Sequence, residues 1–253
     1  MTSALTIHTS GPDDAPVAVV LHGLSDSGSN WPDLMTRWQD DWRVLAPDMR
    51  AHGTSPRFAP EEMATSGEIM FDDVVAILDA QPKPVALLGH SMGGALALRA
   101  AVARPEKVWA LVLEDPAHAS GEPSPADVGT GFGEFVAEVS GRVGNGEMDQ
   151  LIAEATWSAS ETREWALSKP QVQPEYLANG LHLGSQSWDV LVAALTVPTL
   201  LVVPERDSVA PPETTASDVV TQVVIADAGH CVRRDQPEAY YDAVETFLAA
   251  QRA

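Results

Sequence analysis

Short apolar runs alternate with longer amphipathic stretches along this chain. The run Val17–Leu21 is apolar at every position, as expected for a strand that is buried on both faces of a sheet. In Gly67–Ala80 the apolar residues recur at spacings of three and four, which predicts a helix with one buried face. Strands that alternate with helices form βαβ units. The pattern therefore predicts a mainly parallel α/β sheet with helices on both faces.

Seven runs are predicted to be strands, and the first of them is expected at an edge of the sheet. These strands are Leu5–Thr9, Val17–Leu21, Arg43–Ala46, Val85–Leu88, Val108–Leu113, Val197–Val203 and Val219–Ile225. Besides Gly67–Ala80, the predicted helices are one that Pro32 opens, Ala95–Ala103 and Pro237–Ala250.

The segment from Ala117 to Leu195 interrupts this alternation, because helical patterns replace the buried strands. A connection of this size between two core strands is too long for a plain loop. We therefore predict a helical cap over residues 117–195, inserted into an α/β core domain of residues 1–116 and 196–253. The cap is expected to cover the carboxyl ends of the strands, where ligands bind in open α/β sheets.

The segment Gly89–Gly94 (GHSMGG) fits G-x-S-x-G and lies between a predicted strand and a predicted helix. That context is the one in which this motif forms a nucleophile elbow. The turn is sharp and strained, so it holds the serine hydroxyl out at the top of the sheet, and the glycines let strand and helix pack closely. Ser91 is therefore the predicted nucleophile, and it needs an adjacent base.

At this point the chain resembles the α/β-hydrolase superfamily, in particular its capped serine esterases and cofactor-free haloperoxidases. The resemblance rests on four segments in the expected order: His22-Gly23, Asp48–Ser55, Gly89–Gly94 and Ala228–His230. In the second of them, Ala51 occupies the position where the family commonly has glycine. The resemblance implies an α/β-hydrolase fold with a sheet of seven or eight strands and a helical cap inserted after the sixth strand.

The resemblance also implies the order serine, acid, histidine along the chain. His230 follows a predicted strand directly, as the family pattern requires, and is the predicted base; His118 and His182 lie in the inserted segment. Asp207, after the strand Val197–Val203, is the predicted acid that orients the imidazole.

Two other residues remain candidates for the acid. Asp115 follows the preceding strand, where some family members place it, and Glu205 is close to Asp207 in the chain.

Two backbone amides are predicted to form the oxyanion hole. One belongs to Met92, directly after the nucleophile, and by resemblance the other belongs to Leu24. Aromatic and apolar residues of the insertion are expected to contribute to an apolar substrate pocket. The predicted pocket residues are His22, Phe132, Phe135, Trp157 and Leu181.

The composition of the chain limits the classes of partner and bound group that we expect. The formal net charge of −21, from 36 acidic and 15 basic residues, argues against nucleic acid and anionic membranes as partners. The single cysteine, Cys231, excludes an intramolecular disulfide and a cysteine-rich metal site. The sequence has neither an apolar run long enough to span a membrane nor a signal-peptide pattern, so we expect a cytoplasmic protein without metal or cofactor.

The chemistry that this constellation predicts is hydrolysis of a small to medium carboxylic ester through an acyl-enzyme. Basic residues in the insertion are few, namely Arg142, Arg163 and Lys169, so an uncharged small-molecule substrate is favoured. C–C bond hydrolysis, lactone opening, acyl transfer and perhydrolysis use the same triad and remain alternatives. A ligand-binding protein of this fold with little turnover is the alternative from another class.

Overall fold

The computed structural model describes residues 4–118, 129–210 and 217–252. Within them, seven strands form one sheet in the order β1-β3-β2-β4-β5-β6-β7. Strand β1 is antiparallel to β3, and all other neighbours are parallel. The strands are β1 Ile7–Ser10, β2 Val17–Leu21, β3 Arg43–Pro47, β4 Val85–His90, β5 Val108–Glu114, β6 Thr199–Pro204 and β7 Val220–Ile225.

The predicted fold class and all seven predicted strands are confirmed, with strand ends that shift by no more than two residues. The shifts occur where pairing, rather than apolar character, decides the end of a strand. Strand β4, for example, continues to His90 because Gly89 and His90 pair with Leu113 and Glu114 of β5.

The described residues form ten α-helices. They are α1 Pro32–Trp38, α2 Ser66–Asp79, α3 Met92–Ala103, α4 Gly129–Gly144, α5 Met148–Glu154, α6 Ala159–Ser168, α7 Pro174–Asn179, α8 Trp188–Ala194, α9 Val232–Asp235 and α10 Pro237–Gln251. Within the described part of the chain, no helix combines the length and the apolar character needed to cross a membrane.

The two faces of the sheet bury separate apolar clusters. In β2, Val19 and Leu21 belong to the cluster that also contains residues of α2 and α3, whereas Ala18 and Val20 belong to the cluster with α1 and α10. This division follows from the strand geometry, because successive side chains point to opposite faces. A continuous apolar run such as Val17–Leu21 therefore needs helices on both sides.

Helices α4 to α8 lie between β5 and β6. We call residues 129–195 the cap. Two small apolar clusters hold cap elements together, one around Val136, Val172 and Leu177 and the other around Val139, Leu151 and Ala166. Residues 119–128 of the predicted insertion lie outside the described residues, and the division into domains at 117 and 195 stays a prediction. The cap was predicted to follow the sixth strand; among the described residues it follows the fifth of seven strands, which corrects that prediction.

Candidate active site

The turn between β4 and α3 has the backbone that a nucleophile elbow requires. Ser91 has φ 50° and ψ −115°, in the left-handed half of conformational space that a residue with a Cβ rarely adopts. A Cβ on Gly89 would lie 2.3 Å from the carbonyl oxygen of Gly93, and one on Gly93 would lie 2.2 Å from the carbonyl oxygen of Leu21. Only glycine fits at both positions, so the motif is explained by backbone crowding.

His230 lies beside this turn and is held by a carboxylate. Its Nδ1–H donates to Oδ2 of Asp115, the residue directly after β5, at 2.6 Å. With Nδ1 as the donor, Nε2 is left as the basic nitrogen. The Asp115 carboxylate is buried and also accepts from the Ser208 hydroxyl at 2.6 Å and from two backbone amides at 3.1 Å, those of Val209 and Ala210. Burial alone would raise the pKa of Asp115, but these hydrogen bonds outweigh it and lower the pKa.

Asp207, the acid predicted from the sequence, does not contact His230. Its side chain is exposed, and its backbone has φ 55° in the turn after β6. This placement corrects the prediction. The loop after β6 instead directs the hydroxyl of Ser208 and the amides of Val209 and Ala210 towards Asp115, the carboxylate that pairs with His230. Glu205, another candidate, instead accepts from the amide of Asp227 at 3.1 Å.

His90 holds the backbone next to the imidazole of His230. Its Nε2–H donates to the carbonyl oxygen of His230 at 3.1 Å, and the two ring centroids lie 4.7 Å apart. Complete burial lowers the pKa of His90 to about 3, so this ring is neutral at neutral pH.

The two histidines of the insertion have other surroundings. His118 lines the cavity described below, whereas Nε2 of His182 lies 2.9 Å from the side-chain amide nitrogen of Asn179.

His22 is buried beneath the site. Its Nδ1–H donates to the carbonyl oxygen of Gly23 at 2.8 Å, and its Nε2 accepts from the amide of Met49 at 3.0 Å. Both ring nitrogens are thus used for holding loops together, and burial lowers the pKa of the imidazole. His22 was predicted to line the substrate pocket, and this placement corrects that prediction.

A cavity of about 660 Å³ opens onto Ser91 and His230. The other four predicted pocket residues, Phe132, Phe135, Trp157 and Leu181, all line it. Aromatic rings follow one another along its wall, with centroid separations of 5.8, 5.9 and 5.6 Å. The rings in this order are those of Phe132, Phe135, Trp165 and Trp157. Leu24 also lines the cavity, and Met92 begins α3, whose first-turn amides have no partner within the helix.

Buried charged residues meet at one side of the cavity, and the prediction did not identify their role. We call Asp26, Glu161, Lys169, Arg233 and Arg234 the ion network. Asp26 accepts from Lys169 Nζ and from Arg234 Nη2, each at 2.8 Å. Glu161 accepts from Arg234 Nε at 3.0 Å and also pairs with Arg233. Burial alone would raise the pKa of Asp26, but the two cations outweigh it and hold the pKa far below its usual range.

The ion network joins three parts of the molecule: the loop after β2, the cap and helix α9. Its members are far apart in the chain, since Asp26 is separated by 143 residues from Lys169 and by 208 from Arg234. No local pattern of the sequence signals such pairs. Within the described residues, no group of three or more metal-binding side chains is found.

Comparisons with known proteins agree with this architecture. The model of a family described as "Alpha/beta hydrolase family" matches residues 18–243. The chain is 28% identical over 270 residues to the sn-1-specific diacylglycerol lipase ABHD11 of Mus musculus, with 94% of this chain and 83% of the lipase covered. It is 37% identical over 114 residues to lipase LipV of Mycobacterium tuberculosis. That match covers 45% of this chain and 42% of LipV, less than half of either protein.

Solved structures share the fold. An esterase from Thermogutta terrifontis superposes with a TM-score of 0.71 at 24% identity, over 98% of this chain and 94% of the esterase. At this identity the likeness concerns the fold alone.

Proposed function

Since the chain belongs to the alpha/beta hydrolase family, we propose that it is a serine hydrolase that cleaves a small to medium, uncharged carboxylic ester through an acyl-enzyme. The proposed triad is Ser91, His230 and Asp115. The observation that carries this proposal is the 2.6 Å hydrogen bond from His230 to Asp115 beside the strained elbow serine. A serine, an imidazole and an orienting carboxylate in this order make up the triad of acyl transfer.

In the proposed mechanism, Nε2 of His230 accepts the hydroxyl proton of Ser91 as the serine oxygen attacks the ester carbonyl. Asp115 keeps the imidazole in the tautomer that can accept this proton and stabilises the imidazolium that results. The amides of Leu24 and Met92 donate to the oxyanion of the tetrahedral intermediate. The imidazolium then protonates the departing alcohol, and a water molecule releases the acid from Ser91 by the same steps.

The charge around the cavity supports an uncharged substrate. Lys169 and Arg234 line the cavity, but each is already paired with a buried carboxylate of the ion network. A substrate carboxylate would have to compete with these pairs, which share a buried environment. The rest of the wall is mainly apolar and aromatic, and the volume of about 660 Å³ lies in the range for small-molecule pockets.

The test is hydrolysis of a short-chain p-nitrophenyl ester by the wild-type protein and by Ser91→Ala. We expect release of nitrophenolate by the wild type and a loss of about 10⁴-fold or more in kcat for the variant. Ser140→Ala is the matched control, because that hydroxyl donates within a cap helix, to the carbonyl of Val136.

A fluorophosphonate probe adds a second readout. Labelling of Ser91 without ester release would place the nucleophile in the proposed role and direct the search to other acyl substrates. If the protein shows no ester release and no labelling, the proposed function is refuted.

A further inference from the structure

The loop after β2 that carries Leu24 is held by the cap. Ser25, the next residue, has φ 64°, a left-handed conformation that costs energy for a residue with a Cβ. Its carbonyl oxygen accepts a hydrogen bond from Nζ of Lys169 at 3.1 Å. It also lies 3.0 Å from the hydroxyl of Ser168, whose single proton is shared between this carbonyl and that of Trp165 at 2.7 Å. Both donors are buried. A strained turn persists only where its surroundings hold it, and here the cap does so.

Lys169 directs all its hydrogen bonds towards this loop and its own neighbour. Besides the carbonyl of Ser25, Nζ donates to Asp26 at 2.8 Å and to the hydroxyl of Ser168 at 3.2 Å. An ammonium group has three protons, so these three acceptors use its full capacity. Although Lys169 lines the cavity, it has no donor left for a substrate. Its geometry fits a role in holding the loop rather than in binding.

Two peptide groups connect these cap contacts to the amide of Leu24. The carbonyl of Ser25 and the amide of Asp26 belong to one planar trans peptide, so fixing the carbonyl also fixes the direction of the amide. That amide donates to the carbonyl oxygen of Gly23 at 3.1 Å. The carbonyl of Gly23 and the amide of Leu24 form another planar trans peptide. The carbonyl of Gly23 also accepts a hydrogen bond from the Nδ1–H of His22. The path from the cap to the Leu24 amide is therefore continuous.

We infer that Lys169 and Ser168 are positioning residues that orient the Leu24 amide of the oxyanion hole, so that ester cleavage requires the docked cap. This inference rests on the proposed function, because it assigns a cap requirement to the same site. It predicts that loss of these donors weakens stabilisation of the transition state more than binding of the ester. Substrate binding depends instead on the aromatic wall of the cavity.

The test compares Lys169→Met with the wild type in ester hydrolysis. Arg57→Met is the matched control, because Nη2 of Arg57 also donates to a backbone carbonyl of the cap, that of Gln171 at 2.6 Å, away from the loop after β2. For Lys169→Met we expect kcat to fall by about 10- to 100-fold, up to the effect of losing one oxyanion donor, with KM within about threefold of wild type. An aliphatic trifluoromethyl ketone, which forms a tetrahedral adduct with the serine, should lose affinity by the same factor as kcat.

Arg57→Met should keep wild-type kcat and wild-type affinity for the ketone. A folded Lys169→Met protein with wild-type kcat, or one that changes only KM, would overturn the inference. Circular dichroism and thermal unfolding report whether each variant is folded.

Ser168→Ala decides the question if Lys169→Met does not fold. It removes the hydroxyl that lies 3.0 Å from the carbonyl of Ser25 and accepts from Lys169, and it leaves the Lys169–Asp26 pair in place. A fall in its kcat and in its ketone affinity together supports the inference, and wild-type values for both refute it. The wild type and Ser91→Ala are measured in the same assay. A wild type that neither releases nitrophenolate nor is labelled by the fluorophosphonate probe refutes the proposed function, whereas an active wild type with unaffected cap variants refutes only the cap requirement.

Discussion

The elbow and the ion network both contribute residues to the lining of one cavity, and they are stabilised in different ways. At the elbow, Gly89 and Gly93 bring backbone atoms so close that no side chain fits between them. In the ion network, Asp26 and Glu161 hold three buried cations from distant parts of the chain. The elbow is determined by short-range steric constraints, whereas the ion network depends on the assembly of core, cap and helix α9.

The elbow and the ion network therefore make different contributions to the site. The elbow fixes the position of Ser91 relative to the sheet through crowding between Gly89 and Gly93 and against the carbonyl of Leu21 on the neighbouring strand β2. The ion network connects the loop after β2, which carries Leu24, to the segment that follows His230. Buried ion pairs contribute little net stability compared with apolar packing, but the loss of one partner is costly. The comparison therefore predicts different responses to substitution.

The largest effect is expected at Asp115, the residue after β5 that pairs with His230. Asp115→Asn keeps the shape of the side chain but removes the charge and favours the wrong imidazole tautomer, so kcat should fall by about 10⁴-fold. Steady-state hydrolysis of a p-nitrophenyl ester measures it. Asp207→Asn is the matched control, and its kcat should stay near that of the wild type because its side chain is exposed. The reverse pattern would restore Asp207 as the acid.

The next effect is expected at Glu161, which pairs with both arginines of helix α9. Glu161→Gln leaves Arg233 and Arg234 without a carboxylate partner on the cap, and the free energy of unfolding should fall by about 4 kcal/mol. Urea denaturation measures it. Glu147→Gln, in a more exposed pair with Arg142, should lower the free energy of unfolding far less, because water screens the pair. If the two variants lose the same free energy of unfolding, burial of the ion network does not make the loss of a carboxylate partner more destabilising.

The elbow is tested by Gly93→Ala. The added methyl group would lie 2.2 Å from the carbonyl oxygen of Leu21, and the backbone shift that relieves this clash should cost about 3 kcal/mol of stability. In Gly141→Ala, by contrast, the new methyl group meets no atom within 4 Å. That variant should gain up to about 1 kcal/mol, because alanine favours an exposed helix more than glycine does. A neutral Gly93→Ala would contradict the steric account of the elbow.

The smallest of the effects concerns acid pH and Asp48, a buried carboxylate in the turn after β3. Burial alone would raise its pKa, but hydrogen bonds from His8, Thr54 and Gly28 lower it from 3.8 to about 2. A lowered pKa in the folded state adds stability above the unfolded value. About 2 kcal/mol should therefore be present above about pH 4 and be lost as the pH falls to about 2.

Urea denaturation of the wild type and Asp48→Asn across this range measures the loss. The difference between the two proteins should shrink towards low pH. A constant difference would show that this carboxylate does not contribute to the acid dependence.

Much of the fold could be predicted because it is encoded locally. The apolar run Val17–Leu21 and the amphipathic stretch Gly67–Ala80 each specify an element without reference to distant residues. The elbow belongs to the same class, since strand, glycines and helix are consecutive. Ala51, at a position where the family commonly has glycine, has φ 67°, a left-handed conformation that glycine adopts more readily than alanine.

The acid and the ion network could not be predicted in this way. Asp115 and Asp207 both follow a buried strand, and only the contacts in the folded protein show which carboxylate pairs with His230. Lys169 is an ordinary basic residue in the sequence, and its pairing with Asp26 depends on how the cap docks on the core. Both cases require three-dimensional proximity between residues that are remote in the chain.

The aromatic wall of the cavity gives this protein an intrinsic optical signal. Trp157 and Trp165 stand edge to face at 5.6 Å and both line the cavity next to charged groups. The ring of Trp157 lies under the guanidinium of Arg234 at 5.2 Å, and that of Trp165 under the ammonium of Lys169 at 5.0 Å. Indole emission responds to nearby charge and water. Occupancy of the cavity can therefore be followed by fluorescence without a label, even for a compound that the protein binds and does not cleave.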